Sequence, residues 1–402
     1  MDLRYGAAYE AFRNELREFL RGWPPTGDEA LLPRREQEAL FRQRGIDRGY
    51  VYRHIPVEYG GSGQAPDVLK DQIIQEEYAA AGAPGNLATQ GAAMLAPTLL
   101  ELGSEAQKRR FIPRALTGEE IWCQGYSEPG AGSDLASLSS RASLDGDEWV
   151  IDGHKIWTSS AAEADFMFGL FRTEPDAPKH AGISYLLIDM RAPGIEIRPL
   201  REITGGALFN EVRFSGVRTP ADWIVGRRGE GWQVSRTTLK YERSMIGSPN
   251  ATRRIFDELL ELARTSERGG RPAIEDPVVR SRLAEIEGYL LSQEYTGRRM
   301  LTSTARGDLA GVALPMLMMK LYGTDLRGRI AGLAYDLIGA EGLVAPSEAE
   351  YQPYASGTPG AWTSRMLGAL GVAIAGGASN IQRNIIGERG LGLPRDLRAP
   401  KG

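Results

Sequence analysis

The chain has 402 residues, of which 42% are hydrophobic and 25% charged, and its formal net charge is −4. That length suits two or three domains of about 100–200 residues, and the composition excludes a mainly disordered chain. The acidic balance argues against a nucleic-acid partner, which would call for a basic surface.

One cysteine, Cys123, excludes an internal disulfide and a thiolate cluster. Three scattered histidines (His54, His154 and His180) give a metal site little to work with, so no metal is expected. The apolar stretches 309–319 and 366–378 fall short of the roughly 18 residues a membrane span needs. No apolar leader follows Asp2, so the expectation is a cytoplasmic protein of a reducing compartment with no membrane partner.

From Ala7 to about Glu120 the pattern predicts helices. Tyr9, Phe12, Leu16, Phe19 and Leu20 share one helical face, and Pro24-Pro25 stops that helix. After the flexible turn at Tyr59–Gly63 the helical pattern resumes near Asp67. Ser104 with Gln107 predicts a capping box opening a helix toward Leu116.

Between about Ile121 and Gly226 the period becomes that of strands. Trp149–Ile151, Asp152-Gly153 and His154–Trp157 predict two strands around a type I′ turn. Ile183–Met190, the alternation Ile195, Ile197, Leu200, and Val212–Phe214 predict further strands. Helices return from Trp232 to about Glu388, with breaks at 269–272 and 344–360. The expected fold is α+β and multidomain: an N-terminal helical domain (1–120), a middle β-barrel or sandwich domain (121–228) and a C-terminal helical bundle (229–402). A doubly wound parallel sheet would need strands and helices to alternate throughout, which they do not.

The segment richest in chemistry is Tyr126-Ser127-Glu128-Pro129-Gly130-Ala131-Gly132-Ser133-Asp134. Small residues around a proline make a loop whose backbone can approach a flat or anionic ligand, and Ser127 and Ser133 add hydroxyls. As composition alone, such a loop is more often a plain turn. As an ordered string it resembles the flavin- and acyl-binding signature of the acyl-CoA dehydrogenase family. Gly153-His154-Lys155-Ile156-Trp157-Thr158-Ser159 is similar to that family's G-Q-K-x-W-I-T strand, which lies against the flavin ring. Gly229-Glu230-Gly231-Trp232 resembles its entry to the third domain, and Ile381–Ile386 with Leu391–Pro394 resembles its C-terminal ending.

The resemblance implies an FAD enzyme that desaturates an acyl-CoA thioester between Cα and Cβ and passes its electrons to electron-transfer flavoprotein. It implies Gln124, Tyr126, Ser127, Gly132, Ser133, Trp157, Thr158 and Ser159 as cofactor contacts. The α-proton of a thioester is a weak acid, so the site must stabilise the developing enolate with fixed donors and hold its base carboxylate in a dry pocket.

In many members that base is the glutamate of a C-terminal Y-E-G-T loop, but the matching stretch here is Ala375-Gly376-Gly377-Ala378, which puts Gly376 at the glutamate position. A second base position occurs on the first helix of the last domain, before an arginine, and the resemblance carries it onto Glu242, followed by Arg243. Without the resemblance, a Glu-Arg pair on a helix reads as a solvated face or local ion pair. Gly376 keeps the main-chain N–H that in the family helps bind the thioester oxygen, while freeing space for a bulky acyl group. Ser133, Arg243 and Gly377 are the implied substrate contacts.

Departures from the family pattern also carry information. The R-x-x-F-G…F-Q segment, which in homotetramers reaches the neighbour's FAD pyrophosphate, here has Ser266, Gly269 and Pro277 at its arginine, phenylalanine and glutamine positions. Arg268 or Arg271 could substitute in a different register, since guanidinium suits phosphate. The Q-x-x-G-G-x-G motif appears as Asp336–Gly342, with Asp336 and Glu341 adding charge that would repel a pyrophosphate. The same losses mark the base-bearing subunit of the α2β2 dehydrogenases of actinobacterial steroid side-chain degradation. That implies a tetramer with a homologous subunit and a bulky polycyclic acyl-CoA. Two other readings stay open, a non-catalytic partner subunit of a heteromer and a fold relative with oxidase or monooxygenase chemistry.

Cys123, Trp149 and Trp223 read as buried or junction residues, and His154 as a solvent-facing residue at a hairpin end.

Overall fold

The apolar spacing of the first 120 residues produces five helices in the computed structural model, which describes residues 5–246, 249–347, 350 and 357–394. They are α1 (Ala7–Leu20), α2 (Arg34–Asp47), α3 (Val68–Ala81), α4 (Ala96–Leu102) and α5 (Glu105–Thr117). Asp67 caps α3 by accepting from Leu69 and Lys70 N–H, and Ser104 with Gln107 forms the capping box of α5.

Eight strands follow: β1 (Trp122–Gly125), β2 (Arg141–Asp145), β3 (Glu148–Ser159), β4 (Phe166–Arg172), β5 (Ile183–Asp189), β6 (Ile195–Leu200), β7 (Phe209–Pro220) and β8 (Ile224–Val225). They form one mixed sheet in the order β6-β7-β3-β2-β4-β5-β8, with β1 parallel to β4. Side chains alternate across a strand, so each central strand feeds two cores. In β5, Ile183, Tyr185 and Leu187 join the core shared with the N-terminal helices, whereas Leu186 and Ile188 join the one on the other face.

The sequence predicts a hairpin at Asp152-Gly153, and the structure corrects it. β3 runs through that point as one strand, with a register irregularity between Ile151 and Gly153. The turn lies at Gly146-Asp147, where Asp145 pairs with Glu148. Gly153 is required for a different reason, since a Cβ there would lie 2.2 Å from Ser140 Oγ.

The helices of the remainder are α6 (Gly231–Ile246), α7 (Pro249–Thr265), α8 (Pro277–Ala305), α9 (Leu309–Ile338), α10 (Pro359–Val372) and α11 (Ser379–Ile385). The break at 269–272 belongs to a small hairpin, β9 (Glu267–Arg268) with β10 (Arg271–Pro272). Phe256, Leu290, Leu326, Ile330 and Trp362 form the core of this part. By contacts the chain makes two units: Met1–Leu200 with Phe209–Tyr241, and Arg201–Leu208 with Glu242–Gly402. Among the described residues no helix is long and apolar enough to cross a membrane, and no group of three or more His, Cys, Asp or Glu could hold a metal ion.

Candidate active site

In the first unit the loop Tyr126–Asp134 leaves β1 and folds back on itself. Glu128 and Ala131 exchange two main-chain hydrogen bonds of 3.0 Å, a tight turn around Pro129-Gly130. Below it lies a buried ion pair, with Lys155 Nζ donating to Glu128 Oε1 at 2.8 Å. Lys155 also donates to the carbonyls of Tyr126 (3.3 Å) and Leu170 (2.6 Å). Glu128 further accepts from the Ser139 N–H and hydroxyl and from the Ser140 N–H. Burial alone would raise the Glu128 pKa, but the Lys155 ammonium and these donors outweigh it and bring it down to about 2. Every strong polar group of the pair is satisfied, the condition under which a buried charge is tolerated.

β3 is tied to the same loop by a bond from Ile156 N–H to Ser127 O at 2.9 Å. One residue later its ladder with β7 slips between Lys155 and Thr158, and Trp157 adopts φ 60°. A left-handed tryptophan is strained, and bulges of this kind re-aim side chains beside functional sites. Here the bulge turns the indole outward, 58% exposed, edge-on to Phe209.

Two buried polar atoms of this region, Gln124 Nε2 and Thr158 Oγ1, have no protein hydrogen-bond partner. Polar atoms in such a position are open to a partner supplied from outside. A Cβ at Gly130 or Gly132 would meet nothing within 4 Å, so the chain's own packing leaves that face of the loop open. A flat heteroaromatic ring with polar edges has the chemistry to use both features. The structure thus groups Gln124, Tyr126, Ser127, Trp157, Thr158 and Ser159 on adjoining segments, with Gly132 and Ser133 on the exposed limb of the loop.

α6 begins in this unit and is anchored by polar contacts within the core. Thr238 Oγ1 lies 3.0 Å from Thr98 Oγ1 and 3.4 Å from the Tyr185 hydroxyl. The helix continues into the second unit at Glu242, which is half-buried. The side chain of Arg243 lies outside the described residues.

In the second unit Gly376 and Gly377 follow α10 in a turn with φ 61° and 98°, both in the region that favours glycine. Lys320, on α9 and only 2% exposed, donates to Gly377 O at 2.8 Å and Ala373 O at 3.3 Å. Gln382 Nε2 donates to Gly376 O at 3.4 Å. Burial lowers the Lys320 pKa, and the Glu242 carboxylate acts in the opposite direction, holding the ammonium form. Glu242, Lys320 and the glycine turn therefore belong to one electrostatic neighbourhood.

Comparison with known proteins identifies the family. Family models for the acyl-CoA dehydrogenase N-terminal, middle and C-terminal domains match residues 7–119, 123–217 and 229–391. The chain belongs to the acyl-CoA dehydrogenase family. It is 40% identical to the acyl-CoA dehydrogenase IpdE1 of Mycobacterium tuberculosis, over 96% of this chain and 98% of that one. Among solved structures it is similar to the Tcur3481-Tcur3483 steroid ACAD (30% identity, TM-score 0.78, covering 98% of this chain and 100% of that one). It is also similar to the ChsE4-ChsE5 complex from Mycobacterium tuberculosis (29% identity, TM-score 0.75, covering 98% and 100%).

Seen as an acyl-CoA dehydrogenase, the chain has clear departures. Arg268 and Arg271 sit on the exposed β9–β10 hairpin, where Arg268 pairs with Asp276 at 3.3 Å. Asp336 is paired with Arg282 at 2.5 Å on the surface. His154 lies mid-strand in β3 rather than at a hairpin end, 3.6 Å from Glu211. Cys123 and Trp149 are buried as expected. Trp223 packs edge-on against Phe111. Glu128, Lys155 and Lys320 escaped the sequence reading. For Lys320 the signal was a charge inside an apolar run, between Met319 and Leu321.

Proposed function

We propose that the chain desaturates a bulky acyl-CoA thioester between Cα and Cβ, with Glu242 as the base that takes the α-proton. When bound, FAD would supply a two-electron acceptor for the β-hydrogen, which leaves with its electron pair as the Cα–Cβ double bond forms. Gln124, Tyr126, Ser127, Gly132, Ser133, Trp157, Thr158 and Ser159 would hold it. The unpartnered Gln124 and Thr158 polar atoms and the outward Trp157 fit its polar edge and flat face.

The supporting observation is the shared cation of the second unit, where Lys320 bonds the glycine turn and feels the Glu242 charge. In this reading the Gly376 N–H donates to the thioester oxygen as negative charge develops there, which lowers the barrier to α-proton removal. Ser133, Arg243 and Gly377 contact the substrate. Two consecutive glycines leave no side chain against the acyl group, which suits a polycyclic acyl chain, and the similar steroid ACAD points the same way.

The altered phosphate positions Ser266, Gly269, Pro277, Asp336 and Glu341 support an α2β2 tetramer with a homologous subunit, and electron-transfer flavoprotein is the proposed acceptor. The test is Glu242→Gln, assayed as flavin bleaching by cholyl-CoA and octanoyl-CoA under anaerobic conditions. A loss of about 10²–10⁴-fold with flavin retained is expected. Wild-type bleaching by the variant would remove Glu242 from the reaction. Activity without any CoA thioester would favour oxidase or monooxygenase chemistry.

A further inference from the structure

We infer that Lys320 is a positioning residue for the reaction: its ammonium, bonded to the carbonyls of Ala373 and Gly377, fixes the turn that presents the Gly376 N–H. The inference rests on the proposed roles of Gly376 and Glu242.

A lysine near a helix end is often only a cap for the last carbonyls. That role is already filled here, because Ala373 O accepts from Ser379 N–H at 3.1 Å and from the Ser379 hydroxyl at 3.2 Å. The shorter Lys320 bond goes to Gly377 O, four residues past Ala373 and outside α10. With Gln382 on Gly376 O, the carbonyls at residues 373, 376 and 377 all point to protein donors. Among the described residues no protein acceptor takes the Gly376 N–H, so the donor is left for a ligand.

The turn itself cannot hold this geometry. Consecutive glycines at positive φ have the widest conformational choice of any pair, and fixing them needs outside bonds. A buried lysine is a costly way to make those bonds unless its charge has a use. Beside this turn it has two. It holds the Glu242 carboxylate in its field, and it favours the negative charge that develops on a thioester oxygen bound at Gly376.

The probe is acetoacetyl-CoA, whose enolate absorbs in the near ultraviolet, added at saturating concentration to the flavin-loaded protein with any subunit it needs. The bound enolate fraction reports donors at the thioester oxygen without requiring turnover. Lys320→Met is expected to lower the ratio of bound enolate to keto form at least about tenfold while the affinity for CoA itself changes less than about twofold. Lys320→Arg, which keeps charge and donors, is expected to recover about half of the effect. If Lys320→Met does not accumulate folded, Lys320→Gln carries the test, with an intermediate loss expected. A wild-type enolate fraction in Lys320→Met, or in Lys320→Gln where that variant is used, overturns the inference. Glu242→Gln separates it from the reading beneath, since that variant is expected to keep the enolate and lose flavin bleaching. A wild-type protein that forms no enolate sinks the role of Gly376 and the inference with it.

Discussion

Lys155 Nζ lies 2.8 Å from Glu128 Oε1 beneath the Tyr126–Asp134 loop, with both side chains inside the protein. The pair joins β3, which carries Trp157 and Thr158, to the loop that carries Ser127 and Ser133. One change therefore disturbs both. Lys155→Met removes one partner and leaves a buried carboxylate unpaired, which costs about 3–5 kcal/mol. The double variant Glu128→Gln/Lys155→Met leaves no charge behind and is expected to recover more than half of that loss. Urea unfolding of the single and double variants checks both, and equal stability of the two would show that the charge is not what matters.

The same carboxylate predicts an acid limit. Its folded-state pKa is held down to about 2, below the ordinary value of 4.5. Its contribution is therefore complete above about pH 4.5 and is lost as the pH falls toward 2. Between those limits the wild type is expected to lose stability more steeply than Glu128→Gln, whose amide does not titrate there. Chemical denaturation at pH 3, 4 and 5 reads the difference in slope, and parallel slopes would contradict the assignment.

How far this was legible in the sequence depends on whether a feature is local. The Ser104–Gln107 cap, the helix resuming near Asp67 and the period-two strands depend on neighbours within a few residues, and they formed as read. The Asp152-Gly153 turn failed because the glycine answers a distant demand, the close approach of Ser140 to β3. Lys155, Glu128 and Lys320 were missed for the same reason. Their partners lie 27 residues away for Lys155–Glu128 and 57 for Lys320–Gly377, and no local spacing records them. Glu242 is proposed as the base only through resemblance, since a Glu-Arg pair on a helix carries no distinguishing pattern of its own.

Trp157 offers a trade between stability and binding. Its φ of 60° suits glycine, and its side chain is largely exposed, so few contacts oppose the strain. Trp157→Gly is expected to stabilise the flavin-free protein by about 1 kcal/mol through strain relief, while weakening FAD binding at least about tenfold. Differential scanning calorimetry on apoprotein and a fluorescence titration with FAD, run on the chain together with its homologous subunit, measure the two. Undiminished FAD affinity would remove Trp157 from the cofactor contacts.

Thr158 separates packing from ligand binding more cleanly. Its hydroxyl is buried with no protein partner, and its backbone carbonyl accepts from Asn210 Nδ2 at 3.0 Å. Thr158→Val keeps the shape and the carbonyl bond but deletes the hydroxyl. An unsatisfied buried hydroxyl costs about 1–3 kcal/mol, so the flavin-free variant is expected to be more stable than wild type. The flavin-loaded variant is expected to lose that advantage, because the wild-type hydroxyl then has a partner. Thermal unfolding of the chain together with its homologous subunit, with and without FAD, gives the comparison, and an equal shift in both states would show that the hydroxyl does not meet the cofactor.

The last prediction concerns whether the chain completes a flavin site with copies of itself. A pyrophosphate needs a cation, yet the position that resembles the family's phosphate arginine holds Ser266, and those of its phenylalanine and glutamine hold Gly269 and Pro277. Arg268, two residues after Ser266 in sequence, is already engaged by Asp276. Asp336 replaces the motif's neutral glutamine, and Glu341 adds a second negative charge. The protein purified alone is therefore expected to be colourless, and to turn yellow only when co-expressed with a homologous subunit that retains the phosphate arginine. A visible absorption spectrum with sizing on each preparation decides the matter. Flavin bands near one FAD per chain on a tetramer of this chain alone would overturn the heteromer and make Arg268 or Arg271 the pyrophosphate ligand. In that event Arg268→Ala and Arg271→Ala would each be tested for loss of the yellow colour.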